Sequence, residues 1–108
     1  MISADLLRGY TDAVILRQLD GADGYGYQIS KKVSGVSGGR LELKEATLYT
    51  AFRRLEGAGY IRSYWGDETV GARRRYYSLT DEGKKKLTEE IQVWHETRDV
   101  LNQLLEEE

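Results

Sequence analysis

The chain has no cysteine, no proline and one histidine in 108 residues. Without thiols there is neither a disulfide nor a thiolate metal site. His95 alone is too little for an imidazole metal cluster or a serine-type triad. No nucleophile–base pair and no glycine-rich phosphate loop is visible, so no enzymatic activity, no cofactor and no metal is expected. Long apolar runs are also missing. The longest, Ala13-Val14-Ile15-Leu16, falls far short of the roughly 20 residues of a membrane span. The N-terminus lacks the basic-then-apolar pattern of a signal peptide. The expectation is a cytoplasmic protein with no membrane partner. No internal repeat or low-complexity linker is present, and the length suits one domain with a modest core.

The net charge of −2 conceals an asymmetry. Residues 1–24 carry two basic and four acidic side chains, residues 25–79 ten and five, and residues 80–108 four and nine. A phosphate backbone meets the local field rather than the total, so the basic middle is the part suited to nucleic acid. An ordinary solvated surface explains the charges alone equally well.

Residues 3–20 have helical spacing, with Ser3 as a cap and Asp5 in the first turn. Apolar side chains at Leu6, Leu7, Tyr10, Ala13, Val14, Ile15, Leu16 and Leu19 cover more than one stripe, which predicts two buried faces and a partner for one of them. Gly21-Ala22-Asp23-Gly24 breaks this helix. A second helix over about 25–34 turns Tyr27, Ile29 and Val33 inward and Lys31 and Lys32 outward. A Gly- and Ser-rich loop follows from Gly35 to Gly39. Leu41-Glu42-Leu43 is too short for a core strand but suits pairing with a wing strand.

The third helix, from about Glu45 to Gly57, buries Leu48, Phe52 and Leu55 and exposes Thr47, Thr50, Arg53 and Arg54, with Tyr49 at the boundary. Two aromatic, alternating stretches come next, Tyr60-Ile61-Arg62-Ser63-Tyr64-Trp65 and Arg74-Arg75-Tyr76-Tyr77-Ser78-Leu79. The segment Gly66-Asp67-Glu68-Thr69-Val70-Gly71-Ala72 joins them as a hairpin. A helix fit for a major groove followed by a basic hairpin is the pattern of a winged helix-turn-helix. The predicted class is therefore α+β, mostly α, with three helices and a two-stranded β wing over residues 1–79. The last helix, about 80–106 and capped by Thr80, makes residues 80–108 a dimerisation segment. Its seam of Leu87, Ile91, Trp94, Arg98, Leu101 and Leu105 has heptad spacing, and a second chain is the economical cover for it. The acids Glu89, Glu90, Glu96, Asp99 and the Glu106-Glu107-Glu108 tail read as a solvated face rather than a metal site.

Together, Ala46-Thr47-Leu48-Tyr49-Thr50-Ala51-Phe52-Arg53-Arg54-Leu55, Gly59-Tyr60-Ile61, Gly71-Ala72-Arg73-Arg74-Arg75-Tyr76-Tyr77 and Leu79-Thr80-Asp81-Glu82-Gly83 resemble the PadR family of bacterial transcriptional regulators. Gly24-Tyr25-Gly26-Tyr27 fits the same pattern. The single C-terminal helix resembles the short subfamily, which includes multidrug-sensing repressors. Thr50 stands where many members have proline, although the short members also tolerate threonine. The resemblance implies a homodimer on a pseudo-palindromic operator, with the third helix in the major groove and the wing along the backbone or minor groove. It also implies a pore at the dimer centre, where paired tryptophans stack a planar aromatic effector. Carried onto this chain, that pore is lined by Leu6, Gly9, Ala13, Leu87, Glu90, Ile91, Trp94 and Arg98. Those relatives have an acid where this chain has Arg98, and a cation there disfavours positively charged ligands.

Thr47, Tyr49, Thr50 and Arg53 are the candidate groove-facing residues, because hydroxyls and a guanidinium reach phosphates or base edges. A solvated amphipathic face is the plain alternative, and Arg54 can equally pair with Glu56 or Glu45. Arg73, Arg74 and Arg75 alternate along a strand, so they cannot all face DNA. The sequence does not choose among them, and charge on an edge strand also guards against aggregation. Lys31 and Lys32 are candidate phosphate neighbours. Dimerisation is assigned to Leu87, Ile91, Trp94, Leu101 and Leu105. Trp94 can also be a plain interface residue. The reading is a DNA-binding regulator, a repressor released by a small aromatic ligand. The alternative is a winged-helix protein–protein module that binds no DNA.

Overall fold

The computed structural model describes residues 2–3, 5–67 and 71–106. Within the hairpin loop, Glu68, Thr69 and Val70 lie outside the described residues, as do Glu107 and Glu108 of the acidic tail. A 3-10 turn, Arg8–Tyr10, leads into α1 (Thr11–Gln18), β1 (Gly24–Tyr25), α2 (Gly26–Val36), α3 (Glu45–Gly57), β2 (Ile61–Trp65), β3 (Arg75–Leu79) and α4 (Asp81–Leu105).

The first helix is shorter than the sequence predicts. Ser3 does cap a turn, its hydroxyl accepting from Leu6 N–H at 3.2 Å, but regular helix starts only at Thr11. Gly9 lies in the stretch between, and glycine there adds nothing to helix propensity. Ile15, Leu16 and Leu19 then enter the core. In α2 the buried stripe is Gly26, Ile29 and Val33. Tyr27 lies about 100° around the helix from Gly26 and is 66% exposed, so its predicted inward placement is wrong. Gly26 is required by a close approach, since a Cβ there would sit 3.1 Å from the Tyr49 hydroxyl and 3.5 Å from Leu48.

Leu41-Glu42-Leu43 does not pair with the wing. Its backbone is bound instead by serines of α2 and the turn after it: Ser30 Oγ donates to Leu43 C=O at 3.3 Å, and Leu41 N–H donates to Ser37 Oγ at 3.0 Å. Leu41 and Leu43 pack against the core from there. The free edge of β3 is taken by β1, giving a three-stranded antiparallel sheet in the order β1-β3-β2 rather than the two-stranded wing expected. Tyr25 pairs with Tyr76, and Tyr76 with Tyr64, so three tyrosines form a row on one face. On the other face, Tyr77 is buried against the helices.

The α3 stripe of Leu48, Ala51, Phe52 and Leu55 is fully buried. Gly59, at φ +82°, reverses the chain after α3, a left-handed conformation that glycine adopts without strain. Thr80 then caps α4 as predicted, accepting from Gly83 N–H at 3.0 Å while its own hydroxyl donates to Gly59 C=O at 2.7 Å. The start of α4 is thereby fixed to the turn that ends α3. Further along, α4 runs out of partners. Leu87 is 3% exposed and joins the core of its own chain. α4 packs back on α1, as far as Trp94, which meets Tyr10 and is 42% exposed. Beyond it Leu101 is 45% and Leu105 78% exposed. Among the described residues no helix is long and apolar enough to cross a membrane.

Candidate nucleic-acid interface

One face of α3 is committed to the core, which leaves Thr47, Tyr49, Thr50, Arg53 and Arg54 on the other, all exposed. Tyr49 is bound at its base, its ring edge-on to Phe52 with centroids 5.8 Å apart. Arg53 has no hydrogen-bond or ion-pair partner among the described residues, and so its guanidinium is available to an incoming anion. Arg54 is engaged, but not with Glu45 or Glu56. Its Nε donates to Asp12 of α1 at 3.3 Å and its Nη2 to the other oxygen of the same carboxylate. The hydrogen bond from Asp12 raises the Arg54 pKa, desolvation opposes it, and the Asp12 charge adds to the rise.

In the wing, the three arginines divide as alternation requires. Arg75 turns toward α3: its Nη2 donates to Ser63 Oγ at 2.7 Å, and it lies 3.7 Å from the Glu56 carboxylate. Ser63 in turn donates to Glu56 at 2.5 Å. Arg75 therefore braces the wing against the last turn of α3. Arg74 lies over the Tyr25 ring at 4.8 Å, on the opposite face of the sheet. Arg73 stands 5.6 Å over Trp65 near the hairpin end, the same distance at which Arg75 meets that ring. Lys31 and Lys32 are exposed on α2, the former 5.4 Å from the Tyr27 centroid. Nothing in the sequence marked the Glu56–Ser63–Arg75 brace or the Asp12–Arg54 fork, because their members are polar residues far apart in the chain.

A second feature is an apolar groove of about 400 Å3 between α1, the end of α2 and α4. Of the residues assigned to a ligand pore, Ala13, Glu90, Ile91 and Trp94 line it, while Leu6, Gly9 and Arg98 lie outside it. Tyr10, which the sequence reading did not single out for this role, stands edge-on to Trp94 at 5.6 Å. Arg98 is turned to Asp99 at 3.1 Å.

Three helices, one of them presenting hydroxyls and arginines, and an arginine-bearing sheet braced beside it define a winged helix-turn-helix of the transcription-factor class. Residues 15–89 match the transcriptional regulator PadR-like family, and the chain belongs to that family of regulators, which are not enzymes. A transcriptional regulator from Clostridium thermocellum is similar, with 45% identity, coverage of 92% of this chain and 96% of that one, and a TM-score of 0.86. A PadR family transcription regulator from Clostridium difficile is 43% identical over 90% of this chain and 99% of its own, with a TM-score of 0.78. The fold is also that of Bacillus subtilis PadR, solved in complex with operator DNA. That chain is 24% identical, with a TM-score of 0.65 over 72% of this chain and 44% of that one.

Proposed function

We propose that this regulator binds a pseudo-palindromic operator as a homodimer and represses transcription. In this reading α3 enters the major groove through Thr47, Tyr49, Thr50 and Arg53. Arg73 and Arg74 meet the adjacent backbone, with Lys31 and Lys32 as outlying phosphate contacts. Arg75 acts through the brace instead. The observation that carries this is the unpartnered Arg53 on an exposed hydroxyl-bearing helix face, beside a wing fixed to that same helix. The operator complex of the Bacillus subtilis relative supports it. Residues 1–79 form the DNA-reading part and residues 80–108 the dimerisation helix. Val93, Trp94, Val100, Leu101, Leu104 and Leu105 of α4 are exposed apolar side chains, which supports Trp94, Leu101 and Leu105 as dimer contacts, with Leu87 and the half-buried Ile91 on the inner side of the same seam.

The groove beside Trp94 takes a planar aromatic effector, and its occupation releases the operator. Apolar walls with an aromatic pair, where Arg17 and Glu90 are each held in an ion pair of their own, suit a flat, largely apolar molecule. A duplex selected by the protein from a random pool, followed by fluorescence anisotropy over a range of salt, tests the DNA reading. Affinity that falls steeply with salt is expected. Selection that yields no enriched sequence would leave the protein without an operator. An anionic aromatic dye such as anilinonaphthalene sulfonate tests the groove: competition with the operator is expected, and dye binding without any effect on DNA would remove the effector role.

A further inference from the structure

Among the described residues, α1 and α3 share one polar side-chain contact, the fork in which both oxygens of Asp12 receive Arg54. We infer that this fork is a mechanical link by which the DNA-facing helix and the apolar groove sense one another, with Asp12 a positioning residue that acts through Arg54. The inference rests on the DNA-facing reading of α3 and on no effector.

Arg54 shares a strip of α3 with Thr47 and Thr50, and these three line one hollow together with Arg8 and Thr11. An arginine there is within reach of the phosphates that flank a groove-bound helix. Carboxylate and phosphate both accept the planar guanidinium through two parallel hydrogen bonds, so they compete for the same donors. When a phosphate draws on Arg54, the pull on Asp12 changes.

The other end of the link is two residues away. Tyr10 stands edge-on to Trp94, and Ala13, Val14 and Arg17 of α1 form a wall of the groove. α1 is only eight residues long, so Asp12 and the groove-lining side chains ride on one rigid segment. Before it comes Gly9, where an added Cβ would meet nothing within 4 Å. A shift of Asp12 is therefore transmitted to Tyr10 within less than a helical turn, and from there to the Trp94 ring. Linkage makes the effect reciprocal: whatever moves α1 from the groove side alters the hold on Arg54.

Trp65 and Trp94 are the two tryptophans in the sequence, so Trp65→Phe leaves Trp94 as the sole reporter. The full chain carrying that change is saturated with its selected operator duplex, saturation being set by anisotropy of the labelled DNA. The Trp94 emission is expected to shift. Adding Asp12→Asn breaks the fork and leaves Arg54 to the DNA. Arg54→Lys, which keeps the charge but not the fork, is expected to bind more weakly and is brought to saturation at a higher duplex concentration, as anisotropy shows. In each variant the Trp94 shift is expected to fall to less than half. DNA binding with no Trp94 response, or a full response in both variants, overturns the link and leaves the DNA reading standing. No anisotropy change at all sinks the DNA reading, and the link with it.

Discussion

The ring of Tyr77 in β3 stacks on that of Phe52 in α3, centroids 3.9 Å apart and planes 20° from parallel. Both residues are buried, so the sheet is held to the DNA-facing helix from within as well as by the Glu56–Ser63–Arg75 brace at the surface. Phe52→Ala removes one half of the stack and leaves a cavity at the centre of the core. A loss of about 3–5 kcal/mol is expected for such a truncation, a large part of a domain's total stability. Chemical denaturation measures it, and a loss below about 1 kcal/mol would show that the stack is not central.

Burial pushes the Tyr77 phenol up, above its ordinary range, with Arg75 acting in the opposite direction. The folded state thus favours the neutral phenol. Its contribution is complete below the ordinary tyrosine value near pH 10 and is lost as pH rises through the higher folded value. Stability should therefore decline on the alkaline side, and Tyr77→Phe should flatten that decline. Parallel urea titrations from neutral to alkaline pH compare the two, and superimposable slopes would assign the decline to other groups.

Gly83 is needed for the docking of α4. A Cβ at this position would lie 2.0 Å from the Tyr60 carbonyl oxygen, a backbone atom with no room to retreat. Gly83→Ala gains helix propensity but must push α4 off the turn after α3, so a net destabilisation of roughly 1–3 kcal/mol is expected. A melting temperature equal to the parent's would refute this.

Arg53→Ala should weaken operator binding by about 1–3 kcal/mol and relax base preference. Arg73→Ala and Arg74→Ala should each weaken all duplexes alike and lower the salt slope by about 1, as loss of a phosphate contact does. Arg75→Ala behaves differently. It frees Glu56 and Ser63 and loosens the wing, so discrimination between operator and random DNA falls more than the salt slope does. Anisotropy with specific and scrambled duplexes at several salt concentrations separates the three behaviours.

Leu101→Lys with Leu105→Lys should yield a monomer whose secondary structure is unchanged, since neither side chain touches its own core. Light scattering reads the mass directly. A dimer of undiminished stability would place the interface elsewhere.

The recognition helix, its buried stripe and its exposed face were legible because helical periodicity is local: Leu48, Phe52 and Leu55 lie within two turns. The strand pair was legible from its alternating aromatics, and the α4 cap from Thr80. β1 was not, because two residues, Gly24 and Tyr25, have no periodicity to read and become a strand only where β3 offers an edge. Tyr27 misled because an aromatic near Ile29 looks like core until the helix phase is fixed by Gly26, whose missing side chain admits Tyr49. The spacing of α4 gave the right helix, but heptad spacing does not say how far its first seam position, Leu87, is already covered by its own chain.

The amino-acid order alone determined where α2, α3, α4 and the strand pair β2–β3 form, which helix face carries the hydroxyls and arginines, and that the cations gather in the middle of the chain. Folding in three dimensions decided which of those cations are free. Arg53 was left open, Arg54 was taken by Asp12 and Arg75 by Glu56 and Ser63. The reason is that backbone preferences are set by neighbours a few residues apart, whereas a charge is claimed by whichever opposite charge the packed elements bring within reach, here 42 positions away.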